Sequence, residues 1–197
     1  MSNLSTNAYL ALQQSEFIFG TRNNAKDIEI RNAVILFRNL AGAERVGKRK
    51  DGSSFKSRGA DFKVAISEEV YKTLEKIGTF SISALPVELP ESEETTLYLL
   101  RVKVTMDSEW PPVIKLYTKM NGKTSVNQLT KDSIETADRV EIDRADIIIH
   151  PSEYDDGKFS VYLKQMNICT VEAQDFGGYW DELIASDDVE TNPFPQN

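Results

Sequence analysis

Residues 60–78, ADFKVAISEEVYKTLEKIG, change their period halfway along, and that change decides the fold. Phe62, Val64 and Ile66 fall on one side of an extended chain and Lys63 on the other, the two-residue repeat of a half-buried strand. From Ser67 the repeat becomes helical, with Val70, Leu74 and Ile77 on one face. Ser67 is placed to cap the helix. Glu68 and Glu69 put negative charge in the first turn, where the helix dipole favours it, and Gly78 supplies a stop. The stretch reads as a strand running into a short amphipathic helix, Ser67–Ile77, that packs on a sheet.

Upstream, Ile28–Leu40 (IEIRNAVILFRNL) is rich in β-branched and aromatic residues and reads as one long strand. Between it and the strand at 62–66 lies a Gly/Ser-rich basic loop, residues 45–58. The two strands and the loop read as a hairpin with a long tip. Downstream, strands are expected at Phe80–Leu85, Leu97–Met106, Val113–Lys119, Val140–His150 and Phe159–Val171. In the second of these, Leu100, Val102, Val104 and Met106 face the core and Arg101 and Lys103 face out. In the third, Ile114 and Leu116 alternate with Lys115, Tyr117 and Lys119. In the last, Val161 and Leu163 point in and Tyr162 and Lys164 out. Residues 86–96 (PVELPESEETT) read as an acidic, proline-bearing loop, residues 120–138 as a polar connector, and YDDGK (154–158) as a tight turn. No repeat at solenoid spacing is present.

These elements imply a mainly β, antiparallel domain with one short helix. A small OB-like Greek-key barrel is the most economical arrangement, because closure removes exposed strand edges; a β-sandwich is the runner-up. The expected organisation is an N-terminal extension (1–24), the barrel domain (25–171) and an acidic flexible tail (172–197).

The chain has 197 residues, of which 40 % are hydrophobic and 27 % charged, as expected for a single globular domain with appendages. No apolar run approaches the roughly 20 residues of a membrane span. The N-terminus lacks the pattern of a secretory signal, and the one cysteine, Cys169, excludes an internal disulfide, so a cytoplasmic location is expected. The net charge of -8 argues at first against a nucleic-acid partner. The charge is segregated, however. From Arg22 to Lys63 there are eleven basic and five acidic residues, whereas no Lys or Arg follows Lys164 and seven acidic residues do. That asymmetry suggests a nucleic-acid binder with an acidic tail.

Catalytic signatures are missing from the sequence. There is no phosphate-binding GxxxxGK[ST] loop and no GxGxxG. The single His150 and single Cys169 cannot supply a zinc site of nitrogen and sulfur ligands. His150 reads as a surface or satisfied histidine and Cys169 as a small buried residue. Glu141, Asp143 and Asp146 are split between two strand faces. The expectation is a non-enzymatic protein with no metal and no cofactor.

Single-stranded nucleic acid is held by cations that follow phosphates and by flat rings on which bases stack. Both residue types recur on the expected loops and outward faces. The candidate DNA-binding residues are Lys48, Arg49, Lys50, Phe55, Lys56 and Arg58 in the hairpin tip, Lys63 beside it, Arg101 and Lys103, Trp110, Lys115 and Tyr117, and Tyr162 and Lys164. Phe55 has little core to join inside a Gly/Ser/Lys/Arg loop, whereas Phe37, Phe62 and Phe80 read as core. Trp110 either offers an exposed ring or plugs a barrel end. The anionic tail, with Asp187, Asp188, Glu190 and Phe194, is suited to occupy the basic groove or to recruit a partner.

The succession ADFKVAISEEV (60–70), YLLRVKV (98–104), WPPVIKLYT (110–118) and RADIIIHPSEYDDGKFSVYLKQM (144–166) resembles a family of phage-encoded single-stranded DNA-binding proteins. The family's F-x-V/L strand before a short helix appears at Phe62–Ile66, its PPKIY-like strand at Pro111–Tyr117, and its closing aYLKtMyV-like strand at Val161–Ile168. The resemblance covers roughly residues 28–171. It implies an OB-fold core that coats single strands during phage replication, recombination or repair without strong sequence preference, inside an infected bacterial host. It also implies replication or recombination proteins as partners of the acidic tail. The stretch from Asp187 to Phe194 is similar to such tails, but Pro195-Gln196-Asn197 follow the phenylalanine. Homo-oligomerisation is open, and two other readings stand beside this one: an RNA- or duplex-binding module, and a structural or protein-interaction β-domain.

Overall fold

The computed structural model describes residues 2–21, 24–48, 52–57, 59–88, 94–120 and 123–170. In chain order the elements are helix α1 (Ser2–Leu12), strands β1 (Glu16–Phe19), β2 (Ile28–Arg31), β3 (Ile35–Asn39), β4 (Arg45–Lys48), β5 (Ser54–Ser57) and β6 (Asp61–Ile66), then helix α2 (Glu68–Ile77). Strands β7 (Thr79–Phe80), β8 (Ile82–Glu88), β9 (Glu94–Lys103), β10 (Val113–Met120) and β11 (Lys123–Leu129) follow. Helix α3 (Glu135–Arg139) and the long strands β12 (Ile142–Asp155) and β13 (Lys158–Thr170) complete the order. The protein is mainly β, as the sequence implies.

The period change at residue 67 is realised as expected. Phe62, Val64 and Ile66 are buried, and Val70 and Leu74 of α2 pack in the same cluster. Ser67 Oγ accepts a hydrogen bond from the Val70 N–H at 3.3 Å, and the Gly78 N–H donates to the Leu74 carbonyl at 3.0 Å. Gly78 is required by close approach: a Cβ there would lie 2.5 Å from the Gly157 carbonyl oxygen and 2.6 Å from the Phe159 ring.

β12 and β13 form a long antiparallel hairpin whose turn carries Gly157 at φ 65°. The other edge of β13 meets three strands in parallel: β7 at Lys158, β9 at Tyr162, and β10 from Gln165 to Cys169. β9 pairs with β6 and β8, β6 with β3, and β2 with β12 and β1. The link between β2 and β3 is itself hydrogen-bonded to both neighbours. The Ala33 N–H donates to the Ala145 carbonyl at 2.7 Å, and the Ala65 N–H donates to the Val34 carbonyl at 2.9 Å. One stretch of chain thus serves β12 with its first half and β6 with its second. The pairings run from β2 through β12, β13, β9 and β6 to β3, and the link at Ala33 and Val34 joins the two ends.

This corrects the reading of residues 28–40 as one strand. Asn32 (φ 50°) and Phe37 (φ 53°) take left-handed backbone, which breaks the pleat and lets the chain change partners. The polar connector at 120–138 also contains structure, namely β11 and α3. Thr124–Gln128 are exposed on both faces of β11, so no apolar alternation announces that strand. The loop at 86–96 is shortened from both sides by β8 and β9.

Residues 2–12 form α1, and its buried Ala8 and Leu12 pack with Ala65, Val87, Leu97 and Leu99. Ala65 lies on the same side of β6 as Asp61 and Lys63, and Leu97 and Leu99 on the same side of β9 as Arg101 and Lys103. The outer face of these strands is therefore apolar under α1 at one end and charged at the other.

Candidate nucleic-acid interface

Residues opposite one another in a ladder project to the same side of the sheet, so strand register alone assembles the charged end into a row. Lys63 of β6 stands opposite Arg101 of β9, and Asp61 opposite Lys103. Lys103 stands opposite Tyr162 of β13, and Tyr162 opposite His150 of β12. Alternation supplies Lys63, Arg101, Lys103 and Tyr162, and the pairing brings them together from positions spread over a hundred residues.

Each cation in the row has a fixed neighbour. Asp61, whose side chain is 11 % exposed, accepts from Arg45 Nη1 at 2.9 Å and from Arg101 Nε at 2.6 Å. Arg45 Nη2 also donates to the Phe37 carbonyl at 2.9 Å. One carboxylate against two guanidiniums leaves a net positive charge, with both forks about two-fifths exposed. Lys63 Nζ donates to Ser83 Oγ at 2.8 Å and lies 5.5 Å from the centre of the Phe37 ring. Lys103 Nζ donates to Ser160 Oγ at 2.9 Å and lies 5.5 Å from the centre of the Tyr162 ring. Two ring–cation pairs thus flank the Asp61 cluster.

Phe37 corrects the sequence reading, which assigned it to the core: its ring is 51 % exposed. Its positive φ and the irregular β3–β6 register between Leu36 and Asn39 turn the side chain outward. Phe62 is fully buried as expected, and Phe80 stacks on Phe159 at 4.9 Å.

Tyr117 is a second correction. It is only 5 % exposed, so the Tyr117 side of β10 is covered as well as the Ile114 side. Lys115 on the same strand is half-buried opposite Asn167. Lys164 sits at a register shift in the β12–β13 ladder, and its Nζ is 2.7 Å from Asp27, which is 2 % exposed. Asp27 also meets His150 Nδ1 at 2.7 Å, so the lone histidine has a buried partner. Trp110 is 77 % exposed, which removes the reading of it as a plug.

The hairpin tip forms its own two-stranded ribbon, β4 paired with β5, rooted on the sheet through Arg45. Lys56 on it is exposed and pairs with Glu44 at 2.9 Å. Lys48 and Phe55 lie on the paired backbone of this ribbon. Arg49, Lys50 and Arg58, and Asp187, Asp188, Glu190 and Phe194 of the tail, lie outside the described residues. Arg38, counted in the basic front half, is committed elsewhere: it donates to the Ala137 and Val140 carbonyls at the end of α3 at 2.6 and 2.9 Å. Burial lowers its pKa, and an arginine remains charged regardless.

Sequence reasoning missed Phe37, Arg45, Asp61, Ser83 and Ser160. Arg45 and Asp61 were visible as the charges bounding the basic loop; nothing in the local pattern pairs them. Among the described residues no three His, Cys, Asp or Glu side chains gather as a metal site, and no helix is long and apolar enough to cross a membrane.

The arrangement offers cations at fixed spacing beside one exposed ring, Phe37, and one half-buried ring, Tyr162, which suits a flexible polyanion with flat bases. A family model described as "Putative phage ssDNA-binding domain" matches residues 20–187. No curated protein and no solved structure matches the chain.

Proposed function

We propose, from the fact that the chain belongs to the phage ssDNA-binding domain family, that it is a non-enzymatic protein that coats single-stranded DNA during phage replication, recombination or repair. The observation that carries this reading is the row on β6, β9 and β13 with Phe37 of β3 and Arg45 of β4, in which two ring–cation pairs flank the Asp61 cluster. Phosphates run along Arg45, Arg101, Lys63 and Lys103, and bases stack on Phe37 and Tyr162. Cations that follow phosphates and rings that stack on any base leave binding tolerant of sequence. The ring of pairings is read as an OB-like barrel with β4–β5 as the arm between its first strands, a position from which such barrels grip oligonucleotides.

The ribbon residues Lys48, Arg49, Lys50, Phe55, Lys56 and Arg58 close over the strand from one side. Trp110, Lys115 and Lys164 extend the path. Lys164 contributes least, because Asp27 already holds its charge. The acidic tail competes with DNA for the same cations and recruits replication or recombination proteins. The expected place of action is the cytoplasm of an infected bacterium.

The test is fluorescence anisotropy of a labelled oligo(dT), with the matching duplex and an oligo(U) as competitors, over a range of salt. Tight binding to the single strand, weaker competition by duplex and RNA, and a linear fall of log affinity with log salt are expected. Equal competition by RNA would make it a general single-strand binder. No binding at low salt, with and without residues 172–197, would leave a protein-interaction domain.

A further inference from the structure

A buried ring on the outer side of a sheet requires something packed over it. β10 and β13 turn Ile114, Leu116, Met166 and Ile168 toward the main apolar cluster. On their other side, register makes a row. Val126 of β11 stands opposite Tyr117 of β10, Tyr117 opposite Cys169 of β13, and Cys169 opposite Arg144 of β12. Tyr117 is 5 % exposed and Cys169 2 %. Neither belongs to the two apolar clusters that the described residues form. The described helices pack elsewhere: α1 on β6 and β8, α2 on β7 and β9, α3 on β3. At the β11 end of the row Val126 is 46 % exposed, so the cover stops there. In the next row, Lys115, Asn167 and Asp146, the Asn167 Oδ1 is buried with no hydrogen-bond partner among the described residues.

We infer that residues 172–184 fold back over this face and seat the aromatic group Phe176, Tyr179 and Trp180 against Tyr117 and Cys169. Four observations select that segment. β13 ends at Thr170, next to Cys169, so the chain that follows starts at the edge of the face. Residues 176–184 (FGGYWDELI) hold five large apolar side chains, whereas residues 185–197 hold only Val189 and Phe194 beside their prolines. A solvated arm is poor in aromatic residues, so the first stretch is out of place as one. Gly177-Gly178 allows the sharp reversal that would bring the rings back onto the strands. Charge also fits: Glu172, Asp175, Asp181 and Glu182 come without a cation, and in the two rows Lys115 and Arg144 against Asp146 leave one positive charge. The family match runs on to residue 187, past the end of β13, which assigns the stretch to the domain. The free acidic arm then begins near residue 185 rather than at 172.

The test uses the chain's own reporters, its two tryptophans, Trp110 and Trp180, and its single cysteine. Trp110 is exposed, so Trp110→Phe in the full chain keeps the fold and leaves Trp180 to report alone. Trp180 emission should be blue-shifted from that of the urea-unfolded chain, and acrylamide should quench it at least about threefold less. Cys169 in the parent should react slowly with a thiol reagent, at a rate independent of protein concentration. Phe176→Ser, Tyr179→Ser and Trp180→Ser together should speed that reaction at least about tenfold while the cooperative urea transition is retained. A Trp180 as accessible as in the unfolded chain would overturn the inference. So would a triple variant that folds and keeps Cys169 protected. Protection lost on dilution would put a second copy over the face and overturn it too. If the triple variant fails to fold, Trp180 in the Trp110→Phe chain decides alone. No reading involves DNA, so the binding function proposed above stands or falls separately.

Discussion

The outer face of β6, β9 and β13 and the β4–β5 ribbon both gather positive charge, and they hold it differently. On the sheet, each cation is fixed by a neighbour: Arg101 by Asp61, which also holds Arg45 at the root of the ribbon, Lys63 by Ser83 beside Phe37, Lys103 by Ser160 beside Tyr162. On the ribbon, Lys56 meets Glu44 at 2.9 Å with its own side chain 70 % exposed. A fixed cation loses little side-chain entropy when a phosphate arrives, whereas an extended one loses more but adapts to a strand of any path. On the interface proposed above, this difference implies a division of labour: the sheet sets geometry and the ribbon supplies adaptable charge.

The sharpest way to break that comparison is to remove the rings. A stacked base is worth about 1–3 kcal/mol, so Phe37→Ala with Tyr162→Ala should weaken oligo(dT) binding by about 2–6 kcal/mol if the two losses add. The rings belong to separate ring–cation pairs, which favours additivity. Stability should change little for Phe37, whose ring is half exposed. Anisotropy on a short oligonucleotide measures the loss; a double variant that binds like the parent would move recognition to the ribbon.

Next in size is Asp61. Removing it in Asp61→Ala deprives two guanidiniums of their acceptor and should lower the free energy of unfolding by about 1–3 kcal/mol in urea titration. The value stays below that of a fully buried ion pair because both arginines are partly exposed and can turn to water. Affinity for single strands should fall as well, since Arg45 also holds the Phe37 carbonyl. A variant with intact stability would mean that the cluster does not organise the face.

These two predictions also show what was legible in the sequence. Outward Lys63, Arg101, Lys103 and Tyr162 follow from two-residue alternation, because buried neighbours such as Phe62, Val102 and Val161 fix the parity of each strand. Helix α2 follows from its cap and its four-residue spacing. Phe37 does not follow, because one left-handed residue and an irregular register reverse its side, and neither leaves a mark in composition. Tyr117 looks outward by parity and is buried, because both faces of β10 are covered at that point, a fact of tertiary packing rather than of pattern. The link at Ala33 and Val34, which lets one apparent strand serve two neighbours, is equally silent. The charge of residues 45–58 is contiguous and so legible; the row on the sheet carries less net charge and is scattered along the chain.

The ribbon should show itself in salt dependence more than in affinity at one condition. Each phosphate contact to a single strand contributes about 0.7 to the slope of log affinity against log salt. Replacing Lys48, Arg49 and Lys50 together with Ala should therefore reduce the slope by about 2 if all three meet phosphates, with the urea midpoint unchanged. Lys63→Ala with Lys103→Ala removes two contacts and should reduce it by about 1.4. A ribbon variant with the parent slope would leave the sheet as the whole interface.

The smallest expected effect sharpens the comparison most cleanly, because it separates stability from binding at a single ion pair. Glu44 lies 2.9 Å from Lys56, and the two side chains are 33 % and 70 % exposed. Exposed pairs are worth about 0.2–1 kcal/mol, so Glu44→Ala should shift stability by no more than about 0.5 kcal/mol. The same carboxylate competes with an incoming phosphate for Lys56. Its removal should raise affinity for oligo(dT) by up to about fivefold at low salt. The gain should fade as salt rises, because screening shortens the reach of the lost repulsion. Asp61→Ala is expected to do the reverse, lowering both stability and affinity, since there the carboxylate positions the cations. If Glu44→Ala instead weakens binding at low salt, Glu44 positions Lys56 as Asp61 positions Arg45 and Arg101. The ribbon would then be as preset as the sheet.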